Sequence, residues 1–268
     1  MTVCVGAICL DGDAPCIIMC SDTRVGVQDF GSSDAGTKFE LINLPAPGTL
    51  VAMAGSMPRA QELVTRYRQF LGQEPFEKLT ALDRFHYPTQ RQKTSLVDEY
   101  FRSRWSVTRE EYLSGILGQL PDVERSRIAH EVEAIGLEAS LLLATFVEDE
   151  PFLVAVHENG AVLREFDFAI IGSGYAIAFP ALCQRRFSRR LPLSKALYLV
   201  YEAKRLSEVE PSVGPETEIF LLTKEHPVRR VSKDGLKTLA TQYKRFGPRK
   251  VPESLTLPSE SIIEGPIR

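Results

Sequence analysis

The chain has 268 residues, 44% of them apolar and 25% charged, enough to bury a sizeable core without disulfide or metal staples. Its formal charge of −3 supplies no overall basic field, so nucleic acid is not an expected partner. No apolar run approaches the roughly 18 residues of a membrane span. Thr2-Val3-Cys4, with Asp11 and Asp13 close behind, lacks the basic start of an export signal, so no membrane partner and a cytoplasmic location are expected.

Residues 2–10 (TVCVGAICL) and 16–22 (CIIMCSD) are apolar runs rich in Val, Ile and Cys, split by Asp11-Gly12-Asp13-Ala14-Pro15; they predict an opening β-hairpin. Cys4, Cys9, Cys16 and Cys20 crowd this stretch without a C-x-x-C knuckle or a nearby His, so they read as buried free thiols. Leu50-Val51-Ala52-Met53-Ala54 is a buried strand ended by Gly55-Ser56. After Pro58, the residues Leu63, Val64, Tyr67, Phe70 and Leu71 recur at helical spacing.

Residues 75–139 are charged and read as helices. One stripe is Leu96, Val97, Tyr100, Phe101 and Trp105. Thr108 and Glu111 form a capping box before a second stripe of Tyr112, Leu113, Ile116 and Leu117, and a third helix covers 122–136. Strands return at 140–147 and 151–157, with one or two more in 161–171. Helices follow at 175–189 and 193–209, strands at 217–223 and 227–232, and a helix at 234–245. The basic run Arg185-Arg186-Phe187-Ser188-Arg189-Arg190 reads as a solvated helix face. From Gly247 the chain has four prolines and no periodic pattern, which predicts an extended or disordered tail. Strands and helices come in blocks rather than in βαβ alternation, so the fold class is α+β with antiparallel sheets.

The chemistry starts at Thr2. Its small side chain favours removal of Met1, which leaves a hydroxyl beside a free α-amine of pKa about 7.7–8.0. Such an amine serves as general base for its own hydroxyl. Asp22-Thr23-Arg24 closes the second strand of the hairpin, and Lys38 follows 16 residues after Asp22. Ala54-Gly55-Ser56 and Gly172-Ser173-Gly174 each end a strand and open a helix. A metal site is not indicated, since His86, His130, His157 and His226 show no ligand spacing. A dinucleotide turn at 168–174 is excluded by Ile177 at the third glycine position, and a nucleophile elbow by Ile171.

The ordered set Thr2, Gly6, Asp22/Arg24, Lys38, Ala54/Gly55 and Gly172-Ser173-Gly174 resembles the proteasome β-subunit family of N-terminal-nucleophile (Ntn) threonine hydrolases. The resemblance covers roughly 2–73 and 140–232. It implies an αββα four-layer sandwich over 2–246, with an inserted helical subdomain at about 75–139 and a tail at 247–268. It also implies hydrolysis of peptide or amide bonds through a Thr2 acyl-enzyme, with no cofactor and no metal, in a homo-oligomeric ring or open ring. The implied roles are Thr2 as nucleophile and base and Lys38 as a charge beside it. Asp22 would be the partner of Lys38, the Gly55 N–H an oxyanion donor, Ser173 a proton relay and Arg24 a scaffold.

Two features depart from the family pattern. The opening hairpin is four residues longer. At the later acidic–serine stretch, Glu210 stands where the family has Asp and Val213 where it has Ser; Ser212 is the nearest substitute. The helical block also resembles that of a divergent group of bacterial proteasome-like proteins beginning Met-Thr-Val-Cys. A non-catalytic assembly subunit of the same fold, or an amidase or peptide ligase using the same nucleophile, stays open.

Overall fold

The structure, a computed structural model, describes residues 2–27, 31–33, 36–42, 48–71, 81–115, 120–226, 228–247 and 263–266. The opening hairpin is β1 (Cys4–Asp11) and β2 (Ala14–Asp22), in a register that sets Cys4 opposite Ser21 and Cys9 opposite Cys16. These strands are the middle of a six-stranded sheet. β10 (Phe168–Ile171) pairs with β1. β11 (Thr217–Thr223) pairs with β2, followed outward by β12 (Arg229–Val231) and β13 (Ile263–Pro266).

A five-stranded sheet runs in the order β5 (Phe39–Ile42), β6 (Thr49–Gly55), β7 (Ala139–Val147), β8 (Glu150–Val156) and β9 (Val162–Glu165). β3 (Val25–Val27) and β4 (Gly31–Ser33) form a separate ribbon. Every pairing among the described strands is antiparallel.

Side-chain alternation explains the packing, because successive strand residues point to opposite faces. Cys4, Ile8, Ile17 and Met19 face Leu50, Ala52, Leu142, Ala144, Leu153 and Ala155, so the two sheets share an apolar interior. The opposite face of β1 and β2 carries Val5, Cys9, Cys16, Ile18 and Cys20. It packs on α5 (Tyr175–Gln184), α6 (Leu193–Leu206) and α7 (Lys233–Phe246). The opposite face of the five-stranded sheet packs on α1 (Met57–Leu71) and α2 (Asp83–Trp105) through Leu63, Val64, Tyr67, Phe85 and Leu96. The thiols Cys4, Cys9, Cys16 and Cys20 are free and buried.

The expected Ntn αββα four-layer sandwich with an inserted helical subdomain is corrected. What the structure carries is an α+β fold of two antiparallel sheets, of six and five strands, with helices against them. Among the described residues of the 75–139 block, Phe85 and Leu96 of α2 lie in the same core as Val51, Leu141 and Val154 of the five-stranded sheet. A small satellite cluster of Val97, Phe101 and Ile128 joins α2 to α4 (Asp122–Glu133), and Glu131 of α4 accepts from the Tyr100 hydroxyl at 2.6 Å and pairs with Arg104 at 3.1 Å.

Local expectations are corrected as well. Thr108 and Glu111 do form the capping box, but α3 (Arg109–Leu113) is short and Leu113 is exposed; Ile116 and Leu117 lie outside the described residues. The basic run is not a helix face. α5 stops at Gln184, Arg185 turns back onto the buried Glu202 in a two-pronged ion pair of 2.7 and 3.1 Å, and Phe187 is buried. β5 was not expected from its four-residue sequence. Of the tail, residues 248–262 lie outside the described set, and 263–266 add β13 to a sheet edge. No described helix is long and apolar enough to cross a membrane.

Candidate active site

The hairpin, the start of β5 and the loop before β11 converge on Asp22. Asp22 is the last residue of β2, and it is fully buried. Its Oδ1 accepts from the Thr2 hydroxyl and from the Val3 N–H at 3.0 Å; its Oδ2 accepts from the Arg24 N–H at 3.1 Å and the Gly214 N–H at 2.9 Å. Lys38 enters from just before β5, where its carbonyl is fixed by the Met53 N–H at 2.9 Å. Its ammonium donates to Thr2 Oγ1 and lies 2.9 Å from Asp22 Oδ1. Hydroxyl, carboxylate and ammonium thus meet in one buried triangle.

Burial alone would push the Asp22 carboxyl up. The charge of Lys38, and hydrogen bonds from Thr2, Lys38 and Gly214, outweigh it and hold the carboxyl below the usual carboxylate range. Cys4 lies nearby, its Sγ 3.3 Å from Ser21 Oγ. Burial pushes this thiol up to about 11 despite the opposing charge of Lys38, so it stays protonated at neutral pH and is a poor nucleophile.

A second group of hydroxyls reaches the backbone of Thr2. Gly172 opens the turn after β10 at φ +93°, and a Cβ there would sit 2.3 Å from the Thr2 carbonyl oxygen. Only glycine permits this approach. It lets the Gly174 N–H donate to the Thr2 carbonyl at 3.2 Å and Ser173 Oγ donate to it at 3.3 Å. Ser173 Oγ is 2.8 Å from Ser212 Oγ, which donates to Glu210 Oε1 at 3.1 Å. The exchanged residues of the Glu210–Val213 stretch therefore fall as follows. Glu210 and Ser212 join Ser173 in one polar chain, and Val213 is buried in the apolar core. Arg24 lies alongside, its Nη1 donating to the Pro211 carbonyl at 2.9 Å.

Gly55 closes β6 at φ +91°, exposed at the edge of a cleft of about 660 Å³. Ser140, His157, Ile171, Gly172, Ser173 and Tyr175 also line this cleft, so it runs from Gly55 to the turn that holds Thr2. Among the described residues no group of three or more His, Cys, Asp or Glu side chains gathers into a metal site.

Thr2, Asp22, Arg24, Lys38, Gly55, Ser173, Glu210 and Ser212 are therefore near one another or along this cleft. The backbone donors Val3 and Gly214 escaped sequence reasoning, because a main-chain N–H is carried by every residue type except proline.

Comparison with known proteins places the fold. The chain is similar to the solved structure of the Anbu (Gly-1) mutant from Hyphomicrobium sp. strain MC1, with a TM-score of 0.60 and 15% identity over 91% of this chain and 94% of that one. It is similar to Anbu (ancestral beta-subunit) from Yersinia bercovieri, with a TM-score of 0.59 and 16% identity over 91% and 94%. It is also similar to the chain in the helical assembly of the Anbu complex from Pseudomonas aeruginosa, with a TM-score of 0.59 and 16% identity over 91% and 92%. No protein-family model matches the chain, and no curated protein does. The expected assignment to the proteasome β-subunit-like threonine hydrolases is corrected accordingly. The similar solved chains are Anbu proteins, and at 15–16% identity the likeness shows the fold alone.

Proposed function

We propose that this protein is an amidohydrolase whose nucleophile is Thr2, freed of Met1, and which cleaves peptide or amide bonds through an acyl-threonine ester. The observation that carries the reading is the buried triangle: Thr2 Oγ1 receives the Lys38 ammonium and faces the Asp22 carboxylate. An ordinary surface threonine has no use for a buried ion pair, which is costly to desolvate.

In the proposed reaction the freed α-amine of Thr2 takes the hydroxyl proton. Oγ1 forms a bond to the amide carbon, and the Gly55 N–H receives the developing oxyanion. The C–N bond breaks as the amine's proton passes to the leaving nitrogen, and water then releases the acid from the ester. Lys38 favours oxygen charge on Thr2 and disfavours protonation of the amine, because like charges compete. The Glu210–Ser212–Ser173 chain orients donors beside the Thr2 backbone. The cleft between Gly55 and Ser173 offers substrate room on both flanks.

We extend self-association to this chain as well, on the strength of the assembled Pseudomonas neighbour. One observation favours a second reading, a non-catalytic assembly subunit: Thr2 is only 2% exposed. The two readings part on a single assay. Hydrolysis of a panel of fluorogenic peptide amides is expected from the purified chain and not from Thr2→Ala. A panel turned over equally by both proteins would overturn the hydrolase reading.

A further inference from the structure

Lys204 is a buried cation that the proposed reaction does not use. It stands in the last turn of α6 with its side chain fully enclosed. Its ammonium donates to Glu208 Oε1 at 2.6 Å and to the carbonyl of Pro215 at 2.8 Å. Burial pulls its pKa below the usual lysine value, against the opposing pull of Glu208. Enclosing an ammonium costs several kcal/mol of lost hydration, whereas a methionine of similar shape would fill the space without that cost. Glu208 does not require it, since Arg205 Nη1 is 3.0 Å from the same oxygen. What the ammonium alone supplies is a donor to Pro215.

Pro215 follows the residue that matters for Thr2. Gly214 donates its N–H to Asp22 Oδ2, and Asp22 faces Thr2 and Lys38. The same loop carries Ser212 and Glu210, and its other proline, Pro211, is held by Arg24. Between the two prolines Val213 is sunk in the core beside α6. The loop is thus clamped at both ends by a cation on a proline carbonyl.

We propose that Lys204 is a positioning residue, whose bond to the Pro215 carbonyl holds the Gly214 N–H on Asp22 and so sets the carboxylate that faces Thr2. Its effect on catalysis rests on the proposed function; its effect on Asp22 does not. The charged and titratable groups around Asp22 are Lys38, Cys4 and Cys20, and those around Lys204 are Glu208, Arg205 and the same Cys20; the buried Cys20 thiol lies between the two sets, and the loop is their hydrogen-bonded link.

The test uses the full chain and Lys204→Met. Hydrogen exchange of the 210–216 segment is measured by mass spectrometry, the Asp22 carboxyl is titrated by carbon NMR, and labelling of Thr2 by a peptide epoxyketone is timed. The expected result is exchange in 210–216 faster by about tenfold, as for loss of one hydrogen bond to a charged group, with α5 and the sheets unchanged. The Asp22 midpoint rises, and labelling slows by about tenfold for the same reason.

Unchanged exchange in 210–216 together with an unmoved Asp22 midpoint would overturn the proposal, whatever the melting temperature does. If the wild-type chain does not label at all, the hydrolase reading fails, while exchange and titration still decide the role of Lys204. Should Lys204→Met fail to fold, Lys204→Gln is read by the same outcomes, since its neutral amide falls one bond short of the Pro215 carbonyl.

Discussion

In the proposed reaction the chemistry turns on Lys38 and Asp22, and both are almost fully buried. Removing one member of such a pair strands the other, at a cost of about 3–5 kcal/mol. Lys38→Ala is therefore expected to lower thermal stability as well as to stop turnover, and calorimetry with a peptide assay checks both. Lys38→Arg is expected to stay inactive, because a planar guanidinium does not fit the slot of a compact ammonium between Thr2 and Asp22. Retained stability and rate in Lys38→Ala would make it an ordinary strand-end lysine.

The Asp22 carboxyl is held below its ordinary value, so the folded state keeps it ionised where the unfolded chain would take up a proton. Its stabilisation is therefore complete above the ordinary carboxylate range and is lost as the pH falls through the lowered folded value. Asp22→Asn removes this contribution. Denaturant titrations of the two proteins should differ at neutral pH and converge in acid; a difference that grows toward low pH would contradict this sign. The resemblance carried by the order and spacing of Thr2, Asp22 and Lys38 picks out three side chains that the structure brings together, and their catalytic roles belong to the proposed reaction. The Gly214 N–H on Asp22 was not legible in the sequence, since a backbone donor leaves no mark on residue type.

The turn from β10 into α5 decides where Thr2 sits. Gly172 is left-handed and in contact with the Thr2 carbonyl, so a methyl group there meets both a conformational penalty and a clash at 2.3 Å. Gly172→Ala is expected to cost about 1–3 kcal/mol, as forced strain of this kind does, and to slow labelling of Thr2 more than it lowers the melting temperature. Equal labelling in the folded variant would show that the turn does not set the nucleophile.

Strong periodicities made the hairpin, β6 to β8, α1, α2 and α6 legible. β5 was missed because Phe39-Glu40-Leu41-Ile42 is too short to show a period, and it becomes a strand only by pairing with β6. The Arg185–Arg190 run differs from a solvated helix face because charge density alone does not reveal a buried partner, and Glu202 is that partner for Arg185.

For the whole molecule, patterning separated strand blocks from helix blocks, and the α+β class follows from that. How the helices of 75–139 associate was not legible, because the stripe on α2 does not say which surface it meets; Phe85 and Leu96 meet the five-stranded sheet. Sedimentation at micromolar concentration is expected to give a mass of several chains, and a single 29.9 kDa species would count against the proposed self-association.

Thr2, with a free amine, is the proposed nucleophile. Intact-mass and tandem mass spectrometry of the purified chain after incubation with a peptide epoxyketone tests it in one measurement. The predicted result is a chain lacking Met1 that carries one adduct, mapped to Thr2. An unmodified chain, or an adduct on any other residue, would contradict it.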